Sequence, residues 1–206
     1  MRDIAAFGAR CLLRLTLRRW RRARGGAALL VVFMVAGCTP DYDWREIRAP
    51  GGEYRVHLPA RPALMTRRIH LQGVEVDMTM QGARVEENAF TVALVPLPSQ
   101  AAEAAGLSPD GILAAMREQM LRNIGAAVSA PPGAAVVEMI DLEGRRVGRM
   151  QLQAIEASGT GRHAGMQMRA RFGRWRGYAL QIVAVGPSLD PEQAEYFLDS
   201  LRLVQP

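Results

Sequence analysis

Three histidines, two carboxylate pairs, a series of methionines and one group of arginines are the residues of this chain with chemistry to offer. Metal binding or acid–base catalysis needs side chains that the fold brings to one face, signalled by pairs at i,i+2 on a strand or i,i+4 on a helix. His57, His70 and His163 fall in three separate strand or turn regions with no such pair, so each reads as a surface histidine. Glu75/Asp77 and Glu86-Glu87 are neighbours by sequence alone and read as solvated. No Gly-rich phosphate loop opens a helix, no G-x-S-x-G elbow occurs, and Ser158-Gly159-Thr160-Gly161 has the composition of a hairpin turn. The expectation is a protein that is not an enzyme and carries no cofactor.

Two groups remain. Met78/Met80 and Met166/Met168 each place two thioethers on one strand face, an arrangement that Cu(I) could use because soft ligands select soft metals. Methionine on the apolar face of an amphipathic element is more simply core filler, and no metal is expected. Arg162, Arg169, Arg171, Arg174 and Arg176 surround Trp175 at the expected tip of a hairpin. Guanidinium forks beside a tryptophan have the composition of an interface hot spot or of contact with anionic head groups. This hairpin is the expected partner contact.

Charge narrows the choice of partner. The net charge is +6, and every one of the 26 basic residues is arginine. Residues 1–24 hold eight arginines against the single acid Asp3, which leaves the rest of the chain near neutrality. A domain without basic excess has no electrostatic footprint for a nucleic-acid backbone, so no nucleic acid is expected.

From Ala27 to Ala36 the chain is apolar, too short a run to cross a bilayer as a helix but right for the core of a signal peptide behind a positive n-region. The junction Val35-Ala36-Gly37-Cys38 resembles the lipobox of bacterial lipoproteins. That resemblance implies cleavage of residues 1–37, acylation of Cys38, and a chain held on the cell envelope facing the periplasm. Buried methylenes contribute about 0.8 kcal/mol each, so several acyl chains make attachment effectively permanent. Thr39 after the cysteine implies sorting to the outer rather than the inner membrane. The other cysteine, Cys11, falls within the signal segment, so no free thiol is expected beyond it.

The elements that must position these side chains follow from periodicity. Residues 38–52, with two prolines and a Gly pair, read as a tether, and 53–206 as one domain. Tyr54, Val56 and Leu58 alternate with Arg55 and His57 as a half-buried strand. Val74, Val76, Met78 and Met80 share one strand face, and after a turn at Glu86-Glu87-Asn88 the apolar run 90–95 returns as the second arm of a hairpin. Ser108-Pro109-Asp110 opens a helix whose stripe is Leu113, Met116, Met120 and Ile124, closed by Gly125. After a Pro-Pro-Gly linker, residues 136–140 read as a strand, and runs 146–157, 163–172 and 177–185 as an antiparallel meander with glycines 159, 161, 173 and 177 at its reversals. Asp190-Pro191-Glu192-Gln193 starts a last helix with a stripe of Ala194, Phe197, Leu198 and Leu201.

The succession Tyr54-to-Pro59, Asp77-Met78-Thr79-Met80, the mid-chain helix, Tyr178-to-Gly186 and Phe197-Leu198-Asp199-Ser200-Leu201 resembles bacterial lipoproteins of the PsbP/Mog1-like kind. The resemblance spans most of residues 44–204. It implies an α+β fold, an antiparallel β-sheet flanked by helices in an α/β/α sandwich, and a binding or assembly module without shared catalytic residues. Two functions follow as expectations: an envelope module that binds another protein or envelope component through the 162–176 hairpin, and a carrier of a small or hydrophobic ligand between the sheet and the 109–124 helix. A deep apolar cavity lined by Met116, Met120 and strand methionines favours the carrier; a filled core together with an exposed Arg/Trp patch favours the module.

Overall fold

The computed structural model describes residues 41–71, 73–97, 108–126 and 132–206; residues 1–37, expected to be a signal peptide, and Cys38 lie outside the described residues. The compact unit begins at Tyr42. Its elements in chain order are β1 (Arg45–Arg48), β2 (Tyr54–Leu58), β3 (Ala63–Leu71), β4 (Val74–Val85), β5 (Asn88–Pro96), α1 (Pro109–Asn123), β6 (Gly133–Ile140), β7 (Arg146–Ser158), β8 (Gln167–Trp175), β9 (Tyr178–Gly186), α2 (Pro191–Asp199) and β10 (Arg202–Val204). All ten strands join one sheet in the order β1-β2-β10-β6-β7-β8-β9-β5-β4-β3.

Local chemistry explains most of these elements. Val85 pairs with Asn88 across a two-residue loop, and Trp175 with Tyr178. Loops that short match the strand twist only with positive φ, and Glu86 (φ 51°), Arg176 (φ 48°) and Gly177 (φ 80°) adopt it. The Ser108 hydroxyl accepts from Gly111 N–H at 3.0 Å to cap α1. The Asp190 carboxylate accepts from Glu192 and Gln193 N–H to cap α2.

The core lies on both sides of the sheet. On β5, Phe90, Val92 and Leu94 join one cluster with Ala194, Phe197 and Leu198 of α2; Ala93 and Val95 point the other way, toward Ile112, Met116 and Leu121 of α1. Long strands change partner along their length. Met78 of β4 packs on the α1 side and Ala83 and Val85 on the α2 side, and on β7 Leu152 and Ile155 divide in the same manner.

Three expectations are corrected. The fold is not an α+β α/β/α sandwich: it is mostly β, a sheet curled into a half-barrel with only two helices among the described residues. Those helices, of 15 and 9 residues, each cover a local patch, α1 against β3, β8 and β9 and α2 against β2, β8 and β9. The sheet is mixed rather than antiparallel, because β10 runs parallel to β6. Leu201 is not on the last helix, which ends at Asp199; it is buried just before β10. Finally, residues 42–52 do not hang as a tether: β1 pairs with β2, and Tyr42 and Trp44 pack against the α2-side core.

Candidate functional site

The hairpin arginines do not form one patch. Arg169 and Arg171 point to the α2 side, where Arg169 binds Glu195 (2.8 Å), and Arg171, its side chain 8% exposed, binds the Leu198 carbonyl (3.0 Å), Glu195 (3.2 Å) and Asp199 (2.6 Å). These two fasten a helix to the sheet. Trp175 forms the last pair before the two-residue turn, but it is half-buried and its indole N–H donates to the Glu53 carbonyl at 3.0 Å. Arg174 faces Asp110 at the start of α1, at 3.7 Å. Arg162, beyond the opposite end of β8 in the 3-10 turn Gly161–His163, donates to the His163 ring. Arg176 alone occupies the turn.

The histidines and methionines are also apart from any centre. His57 Nδ1 lies 2.9 Å from the Tyr196 hydroxyl, and His70 is exposed on β3 near Glu75. Met78, Met116 and Met168 are buried in the α1-side core, with Met80, Met120 and Met166 packed around them. Among the described residues no group of three His, Cys, Asp or Glu side chains could hold a metal ion, and no helix is long and apolar enough to cross a membrane.

What the fold does assemble is a transverse row of charge. Directly paired residues in adjacent strands share a sheet face, and the register aligns Arg48 with Arg55, Arg55 with Arg202, Arg202 with Glu138, and Glu138 with Arg149. At about 4.8 Å per strand the row extends about 19 Å across five strands. It lies on the face opposite Tyr54, Val56, Val137 and Leu203, which are buried on the α2 side. A groove of about 420 Å³ opens over the middle of the row, lined by Arg55, Arg202 and Glu138, with Glu46, His57, Arg146 and Ser200 also on its walls.

Each charge has a distinct setting. Glu138 is ion-paired to Arg146 and, at 3.2 Å, to Arg202. Arg202 also donates to the carbonyls of Asp199 and Leu201, so it is fixed in place. Arg55 donates to the Leu142 carbonyl at 2.7 Å. The loop carrying Leu142 is tied by Arg145 to Asp141. Desolvation acts to raise the Asp141 pKa, but the hydrogen bonds from Arg145 and its charge outweigh that and hold the carboxyl below its ordinary range. Arg48 and Arg149 are exposed and make no ion pair with a described residue. Five arginines thus meet two glutamates although the chain beyond residue 24 is near neutral as a whole, a local field suited to carboxylate or phosphate groups.

Sequence reasoning placed Arg55 on an outward strand position but did not foresee the row. Its signal is faint: each member alternates with buried or half-buried neighbours, but only β10, inserted between β2 and β6, brings them into line. No protein-family model, curated protein or solved structure matches this chain.

Proposed function

We propose that this protein is a lipid-anchored component of the bacterial cell envelope, attached through Cys38 and facing the periplasm, whose domain is a non-catalytic module binding an envelope component that carries carboxylate or phosphate groups. The observation that carries the binding reading is the aligned row Arg48, Arg55, Arg202 and Arg149, whose middle members Arg55 and Arg202 line an open groove. Guanidinium groups on a rigid sheet are held in place without ordering a loop, and two of them, Arg48 and Arg149, make no ion pair with a described residue. This moves the contact from the 162–176 hairpin, whose Arg169, Arg171 and Trp175 are spent within the molecule. The carrier alternative is disfavoured because Met116, Ile112, Leu121, Met168 and Phe172 fill the space between α1 and the sheet. The attachment rests on the lipobox resemblance at Val35-Ala36-Gly37-Cys38.

A photo-crosslinking residue at Val136 tests the module. Val136 is exposed and shares the face of Glu138 two residues on. The expected result in intact cells is a discrete envelope adduct that disappears in an Arg48→Ala, Arg149→Ala variant; an absence of any adduct sinks the reading. Intact mass of membrane-extracted protein tests the anchor. Loss of residues 1–37 with added acyl mass, both abolished by Cys38→Ala, is expected, and an unacylated full-length chain overturns it.

A further inference from the structure

We infer that the face formed by β3, β4 and β5 docks on an anionic lipid surface. A second groove, of about 480 Å³, lies there with Met65 and Met80 on its floor and Arg61, Arg67 and Arg84 around it. Met65 and Met80 are direct cross-strand partners, and Met65 is 44% exposed on the sheet's edge strand. None of the three arginines makes an ion pair with a described residue, and no acid among the described residues lines the groove. Gly82 keeps the floor low: a Cβ there would come within 2.8 Å of the Phe90 carbonyl oxygen and 2.9 Å of the Thr91 hydroxyl.

Unneutralised guanidinium groups ringing flexible thioethers match an anionic amphiphile. The cations meet phosphodiester oxygens at headgroup level while the methionines reach the acyl boundary. A soluble phosphate would use the arginines and leave the apolar floor in water. The contact does not depend on acylation of Cys38, so it stands or falls separately from the anchor.

Full-length protein is mixed with phosphatidylcholine vesicles, with and without phosphatidylglycerol, containing a trace of phosphatidylglycerol or phosphatidylcholine that bears an acyl-chain diazirine; adducts are mapped by mass spectrometry. Labelling of Met65 and Met80 is expected only in the anionic vesicles. It should fall on the order of tenfold or more in the variant Arg61→Glu, Arg67→Glu, Arg84→Glu, and also in high salt. Labelling confined to residues 1–40, equal labelling in phosphatidylcholine alone, or indifference to charge reversal overturns the inference. Suppression by soluble glycerol phosphate assigns the arginines to free phosphate and overturns it too. Circular dichroism confirms folding of the variant; should it misfold, the lipid and salt dependence of the unmodified chain decides.

Discussion

Arg171 shows how a residue that reads as a binding group becomes structural. It lies in the middle of β8, with neighbours in register on both β7 and β9, and its guanidinium is enclosed by the C-terminal half of α2. Removing it would leave the Leu198 carbonyl and the Asp199 carboxylate without their donor and Glu195 with Arg169 alone, although both carboxylates retain access to water. Arg171→Ala is expected to cost about 2 kcal/mol, with α2 losing hydrogen-exchange protection first. A loss spread evenly over the sheet would contradict that account. Tyr54 gives a second prediction at this scale. Burial, then the Glu53 charge, raises its pKa well above the ordinary 10, and its hydroxyl donates to Gln81 at 2.8 Å. Because the folded-state pKa is raised, its stabilising contribution is complete below pH 10 and is lost as pH climbs toward the folded-state value. Tyr54→Phe should cost about 1 kcal/mol at neutral pH and show a shallower decline above pH 10 in denaturant midpoints measured across the alkaline range.

At the scale of elements, the β4–β5 turn is a place where the chain carries strain. Glu86 holds φ 51° beside a second glutamate, in a loop whose geometry favours Asn or Gly at that position. Glu86→Asn is expected to raise stability by about 0.5–1 kcal/mol, read as a higher thermal midpoint, whereas Gly177→Ala, where φ is 80°, should lower it. A fall with Glu86→Asn would show that the carboxylate has a partner role that the turn geometry does not require. Strands were legible from sequence where one face is wet, as in Tyr54–Leu58, which alternates buried and half-buried residues along its whole length, or where an apolar run is continuous, as in β5 and β9. β3 was not legible because an edge strand exposed on both sides has no inward set to reveal it; six of its nine residues in a row are exposed. β10 was hidden because Leu201 continued the apolar spacing of α2, and three residues are too few to show a period. The class of the fold went wrong for a related reason. Alternation reports which side of a strand faces inward locally, and on β4 and β7 that side changes along the strand, which is how the curl is built.

At the scale of the molecule, those three residues of β10 hold the sheet together. β10 is antiparallel to β2 on one side and parallel to β6 on the other, and the sheet order gives β1 and β2 no other neighbour. The arginine row depends on the same bridge, since Arg202 connects Arg55 to Glu138. That is why the candidate site was illegible: its members are 154 positions apart at the extremes, Arg48 and Arg202, and are aligned by a strand that sequence periodicity does not announce. Deleting residues 202–206 should therefore act in two ways. Loss of Leu203 and Val204, both buried, costs about 3–6 kcal/mol at about 1.5–3 kcal/mol per apolar side chain. The β1–β2 pair, freed from the sheet, should lose hydrogen-exchange protection while β5, β8 and β9, buried at the centre, keep theirs. Protection persisting in β2 would instead mean that packing of Val56 and Leu58 on the core shared with Phe197 suffices to hold the edge. In that case β10 would serve chiefly to align the charges, and the deletion should abolish the Val136 adduct without loosening β2.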